Sequence, residues 1–329
     1  MRAVRYDGQS VYVDQGSPDP TPGDADALIR PTLSAVDAID LSIVRGELRY
    51  EGIIGRRFVG VVEDAPGPRG ASWIGRRVVA TPSIVDADSE YARRGIGAHD
   101  PDRRMVGAHG HDGAMADRIV VPVNTLTAVP DELEDERAVF VIPVARALHA
   151  ARLVRVEGRA FITVLGDTPD ALICAQVMSR LNASVRVLGT DHAALALCER
   201  WGVKHRPQHE AGRRQDQDVV VDGVCTPESV ELACALCRPR GSVILKPESP
   251  PFPGSPHPAL AGVDLSPALI NEIELIPALA HSVAEAVALL ASGAIDTGPL
   301  VGRRFALVDA VGALRAASDP GAMTMLVAA

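Results

Sequence analysis

Aromatic side chains are scarce in this chain of 329 residues, at 3%, although hydrophobic residues make up 47%. Its cores must therefore be built from Ala, Val, Leu and Ile. No apolar run approaches the ~18–20 residues that cross a bilayer as a helix. No basic block is present and the net charge is −9, which argues against nucleic acid as a main partner. No leader precedes the alternating pattern Met1-Arg2-Ala3-Val4-Arg5-Tyr6, so a cytoplasmic protein is expected. The first half has no cysteine; the five are Cys174, Cys198, Cys225, Cys234 and Cys237. Cys234 and Cys237 have C-x-x-C spacing, but no second pair exists. They fall in an amphipathic helical pattern over 228–237, so core packing is expected rather than redox or metal chemistry.

What is present is organised around residues 161–191. Phe161-Ile162-Thr163-Val164-Leu165 is an apolar, β-branched run that predicts a buried strand. The turn Gly166-Asp167-Thr168-Pro169-Asp170 follows, then apolar residues at helical spacing, then a second strand over 184–188 ending at Gly189-Thr190-Asp191. Strand, turn, helix and strand in this order form a βαβ unit. A dinucleotide fingerprint, G-x-G-x-x-G, would place glycine at 166, 168 and 171. The chain has Gly166, Thr168 and Ala171. Gly166 serves the turn, and Ala171 is small enough where helix meets strand. Thr168 puts a branched side chain where backbone should approach a pyrophosphate. Asp167 and Asp170 suit a helix N-terminus but compete there with a phosphate. Asp191 stands where a carboxylate takes the adenosine ribose hydroxyls and disfavours a 2′-phosphate, so NAD is expected over NADP. A nucleotide-type domain that has kept its core and lost its ligand remains open beside that reading.

The length suggests two domains. Residues 1–147 read as strands and turns: a hairpin over 1–6 and 11–14, then strands over 27–34, 58–63, 75–80 and 113–122. A short helix spans 37–45. Residues 84–105 are polar and read as a protruding lobe. Helical pattern runs from Glu134 to Arg155, where Arg146 and His149 are expected at an interface. Later strands are expected over 218–222, 241–245 and 273–276, an irregular proline-rich loop between Pro247 and Pro267, and a helix over 282–292. A return over 304–327 closes the chain. The expected domains are 1–147, completed by 277–329, and 148–276.

The quoted segments Asp37-Ala38-Ile39-Asp40, Gly55-Arg56-Arg57, Gly75-Arg76-Arg77-Val78, Gly113-Ala114-Met115-Ala116, Arg238-Pro239-Arg240-Gly241 and Asn271-Glu272-Ile273 together resemble the zinc-containing alcohol dehydrogenases of the medium-chain dehydrogenase/reductase superfamily. The resemblance covers nearly the whole chain. It implies an α/β fold: a Rossmann-type doubly wound parallel sheet plus a β-rich GroES-like catalytic domain. It also implies a catalytic zinc that polarises the substrate oxygen during hydride transfer. The family places a cysteine ligand at Asp37, a G-H-E at Gly55-Arg56-Arg57 and a further ligand or carboxylate at Ile142; its proton-relaying hydroxyl falls at Ile39. An arginine has no lone pair to give a metal and an isoleucine has none at all, so no catalytic zinc is expected. The four cysteines of the family's structural zinc lobe fall at Asp86, Ser89, Ala92 and Asp100, and that ion is not expected either. The lobe must then be held by hydrogen bonds and salt bridges, or be mobile.

Two uses of Arg56 and Arg57 stay open. With Asp37 and Asp40 nearby, they can form a salt-bridged plug, or one of them can face a cleft and bind a carbonyl or anionic substrate. The candidate catalytic residues are Asp37, Arg56 and Arg57. The candidate cofactor residues are Gly166, Asp167, Thr168, Ala171 and Asp191. His109 and His111 form a His-x-His pair before the 113–122 segment and could act as acid/base or bind an ion, as could Asp86 and Asp100. Asp222-Gly223-Val224-Cys225 is expected to shape the nicotinamide end. The expected function is a zinc-independent NAD(P)(H)-linked oxidoreductase acting on a small carbonyl or alcohol. The alternative is a catalytically silent binding or scaffold relative. A homodimer stays open as the assembly.

Overall fold

The computed structural model describes residues 1–155, 158–249, 260, 262–279 and 282–329. Of these, one compact unit takes 1–142 and 283–329, and the other takes those from 143 to 282. No helix among the described residues is long and apolar enough to cross a membrane. The expected proline-rich loop falls largely on residues outside the description.

The second unit is a six-stranded sheet in which every pair is parallel. In space its strands run Lys204–Pro207, Ala183–Gly189, Ala160–Leu165, Gln217–Asp222, Cys237–Leu245, Glu274–Pro277. Numbered along the chain, that order is 3-2-1-4-5-6, the doubly wound arrangement with a crevice where the order reverses beside the first strand. The first strand carries Ile162, Val164 and Leu165 fully buried. Its helix, Pro169–Met178, is buried along nearly its whole length because sheet and neighbours close over it.

Two readings for this unit are corrected. The strand Lys204–Pro207 was not anticipated: it is short and polar, and it survives because it is an edge strand that needs only one partner. Cys237 is not helical; the helix is Pro227–Leu236, and Cys237 opens the strand that pairs with Gln217. Between Cys237 and Ser242 the register shifts, with Arg240 in the left-handed region at φ +58°. Arg146 lies buried, with its contacts to Pro247 and Glu248 inside this unit.

The first unit is mainly a seven-stranded sheet. Asp26–Ala35 is its hub, pairing with Arg57–Asp64, Ile119–Pro122 and Thr324–Ala328, all antiparallel. The expected hairpin is present as Ala3–Tyr6 and Val11–Asp14. Strand was expected throughout 113–122, but only Ile119–Pro122 is strand. The preceding residues lie against 53–55 instead: Gly113 N donates to Ile53 O at 2.6 Å, Ala114 N to Gly55 O at 2.7 Å and Met115 N to Ile54 O at 3.0 Å. That approach is why glycine stands at both places. A Cβ on Gly113 would collide with Ile54 O, and Gly55 has φ +97° with Met115 pressed against it. The turn before Arg56 is thereby fixed from two sides. The single helical stretch expected over 134–155 is two helices, Asp135–Ala138 and Val141–Arg152. Pro143 falls in the first turn of the second, where its missing N–H costs nothing.

Candidate functional site

The helix Ala38–Val44 starts at Asp37, which caps it: Asp37 Oδ1 accepts from Ile39 N at 2.9 Å and Asp40 N at 3.2 Å. Asp40 Oδ2 reciprocates by accepting Asp37 N at 2.9 Å, closing a capping box. Asp40 Oδ1 also accepts Gly55 N at 3.0 Å, tying the helix start to the Gly55 turn. The turn delivers Arg56 and Arg57, each 3% exposed, onto one oxygen. Asp37 Oδ2 receives Arg56 Nε in a short ion pair and has Arg57 Nε at 3.1 Å. Arg56 Nη2 is buried with no hydrogen-bond partner among the described residues. Burial works against charge on Asp37, but Arg56 and then Arg57 outweigh it and hold the carboxyl below its usual range. Burial and then the ionised Asp37 push Asp40 up to about 8. Ile39, the position of the expected relay hydroxyl, is fully buried.

In the 86–100 lobe each named side chain has a local structural job. Ser89 caps the short helix Glu90–Arg93 through Ala92 N at 3.0 Å. Asp86 Oδ1 accepts Asp88 N, and Asp100 Oδ1 accepts Asp102 N, both at 2.9 Å. The buried Arg103 donates to Asp100 O at 3.0 Å. Hydrogen bonds thus tie this lobe, whose few buried residues include Asp100, Arg103 and Met105. His111 is bonded through Nδ1 to Asp112 O at 2.7 Å and borders a cavity of about 450 Å³. Burial lowers its pKa. Among the described residues no group of three or more His, Cys, Asp or Glu side chains could hold a metal ion.

In the second unit Gly166 turns the chain at φ +111°. Thr168 caps the helix Pro169–Met178, its Oγ1 accepting Ala171 N at 3.3 Å, and donates its proton to Glu248 Oε1. Asp167 Oδ2 accepts from Thr190 N and from Asp191 N, the latter at 2.6 Å. Asp191 caps the helix His192–Arg200, accepting Ala194 N at 2.7 Å. Asp170 is buried with Arg146 Nη1 at 3.7 Å, and Arg146 Nη1 donates to Glu248 O at 2.9 Å. Asp222 Oδ1 accepts Val224 N and Cys225 N at 3.0 Å each, fixing the turn at that strand's end. Sequence reasoning missed Glu248 and the buried Lys246. Only Lys246 left a sequence trace, a lone charge at the end of an apolar strand; Glu248 meets Thr168 across 80 residues.

Residues 23–131 match the alcohol dehydrogenase GroES-like domain. Over these residues the chain carries an alcohol dehydrogenase GroES-like domain. Among the relatives it matches, L-threonine 3-dehydrogenase of Chelativorans sp. (strain BNC1) is 29% identical over 195 residues, 57% of this chain and 56% of that protein. L-threonine 3-dehydrogenase of Xanthomonas axonopodis pv. citri (strain 306) is 30% identical over 199 residues, 58% of this chain and 57% of that protein. The match thus spans little more than half the length of these relatives. In fold the chain follows alcohol dehydrogenase TADH from Thermus sp. ATN1, with a TM-score of 0.86, 23% identity and coverage of 100% and 99% of the two chains. It likewise follows a short chain alcohol dehydrogenase from E. coli CFT073 complexed with NADH, with a TM-score of 0.87, 18% identity and the same coverage.

Proposed function

We propose that this chain is an NAD(P)-linked oxidoreductase acting on a small carbonyl or alcohol without a catalytic zinc. The observation that carries the reading is the single Asp37 carboxylate shared by two buried guanidiniums, at the places where the superfamily resemblance puts metal ligands. A zinc ion needs converging thiolate, imidazole or carboxylate donors. Here two of the positions are cations, and Arg56 Nη2 is a buried donor with no acceptor among the described residues. That set does not fit zinc, and no step is routed through it. Arg56 instead keeps one N–H group to offer to a carbonyl or anionic oxygen, held in place by its bond to Asp37.

For the cofactor the backbone fits: strand order 3-2-1-4-5-6, the Gly166 turn and the start of the helix Pro169–Met178 are the parts that receive a dinucleotide. A bound nicotinamide supplies the hydride acceptor or donor. Glu248 must leave Thr168 for a phosphate to approach the helix start, since two anions cannot share it. On this reading the β-rich unit carries the substrate side, the parallel-sheet unit the cofactor, and NAD is the favoured form.

The Glu248–Thr168 contact also favours a second reading, a catalytically silent relative whose anion site is closed by its own carboxylate. Thermal unfolding with NAD, NADH, NADP and NADPH separates them. A ligand at 100 times its Kd adds about 2.7 kcal/mol, so a clear upward shift with at least one nucleotide supports the oxidoreductase, and no shift with any leaves the silent relative. Replacing Arg56 with Ala should then abolish substrate-analogue binding while leaving nucleotide binding intact.

A further inference from the structure

We propose that Asp167, on the turn after the first strand of the parallel sheet, is the residue that reads the adenosine ribose and sets the preference for NAD(H) over NADP(H). The proposal rests on the cofactor reading above. In this fold a carboxylate about 20 residues past the glycine turn normally takes the ribose hydroxyls. In this chain the second strand, Ala183–Gly189, ends on a residue with no side chain. The next acidic residue, Asp191, uses Oδ1 to cap the helix His192–Arg200.

The carboxylate that reaches the strand end comes from elsewhere. Asp167 Oδ2 accepts the N–H groups of Thr190 and Asp191 and has Thr190 Oγ1 at 3.4 Å. A Cβ on Gly189 would collide with that same oxygen, so the glycine and the aspartate require each other. Asp167 is half-buried, and its Oδ1 accepts no hydrogen bond among the described residues. Two backbone N–H groups therefore orient a carboxylate at the ribose end of the crevice with one oxygen left to accept. A vicinal diol can donate to that oxygen; a 2′-phosphate, being anionic, is repelled.

The competing role is a purely structural tie between turn and strand. Dissociation constants for NADH and NADPH, measured by nucleotide fluorescence alongside the unfolding midpoint, distinguish the two in wild type, Asp167→Asn, Asp167→Ala and Asp191→Asn. Wild type should favour NADH. Asp167→Asn and Asp167→Ala should shift the NADPH-to-NADH affinity ratio toward NADPH by about tenfold or more, the scale of one hydrogen bond to a charged group. Asp191→Asn, which keeps a capping oxygen, should leave the midpoint and the ratio alone. An unchanged ratio in both Asp167 variants, equal tightening of both nucleotides, or a ratio shift in Asp191→Asn overturns the proposal while the cofactor reading stands. If wild type binds neither nucleotide, both fall.

Discussion

Asp37 caps a helix with one oxygen and pairs with two buried arginines through the other. Replacing it with Ala takes the Arg56 guanidinium's ion-pair partner away in a site that water does not reach. Breaking a buried pair in this way costs about 3–5 kcal/mol, and urea denaturation should register a loss of that size; a loss under about 1 kcal/mol would mean the pair is solvated. The two aspartates respond to pH in opposite senses. Asp37 sits below its ordinary 3.8 when folded, so its contribution is present above that range and is lost as pH falls through and below it. Asp40, pushed up to about 8, contributes most below about pH 4, and that contribution is lost as pH rises toward 8. Asp40→Asn should therefore flatten the dependence of denaturation midpoint on pH between 5 and 8. A wild-type midpoint that shows no fall attributable to Asp40 over that interval, unchanged in slope by Asp40→Asn, would show Asp40 already ionised throughout it.

At the scale of elements, the start of the helix Pro169–Met178 is where stability and ligand binding oppose each other. Thr168→Ala removes the cap and should cost about 1 kcal/mol, whereas Gly retains most of the capping preference. Thr168→Gly also removes the hydroxyl that holds Glu248, so NADH should bind several-fold tighter to it than to wild type by titration calorimetry. Weaker binding would mean that Glu248 is not the obstacle. This element was legible in the sequence because its signals are local: a β-branched strand, a glycine turn, then apolar helical spacing. The strand Lys204–Pro207 was not, because edge strands carry charge and show no apolar alternation. Cys237 continued the helical spacing of its neighbours, and only pairing with Gln217 makes it strand. Asp37, Arg56 and Arg57 were singled out by the family resemblance, which places metal ligands at their positions, and their convergence follows from the Gly55 turn meeting Gly113–Met115, a contact between distant segments. The roles of Asp167 and Glu248 are likewise long-range and leave no pattern in the chain.

At the scale of the whole molecule, the chain combines a GroES-like domain with a Rossmann-like parallel sheet, and charge pairs and caps hold the segments where the sequence resemblance places metal ligands. Its five cysteines are buried and unpaired, with burial pushing Cys198 up to about 11 and Cys237 up to about 12. A thiol reagent should thus label the native protein slowly and label five sites at once after denaturation; rapid native labelling would reveal an exposed thiolate. The most direct measurement of the central claim is elemental analysis of the protein purified without chelator, paired with its unfolding midpoint with and without EDTA. Zinc well below one atom per chain and an unmoved midpoint are predicted. One zinc per chain, or a midpoint that falls with EDTA, would contradict the account.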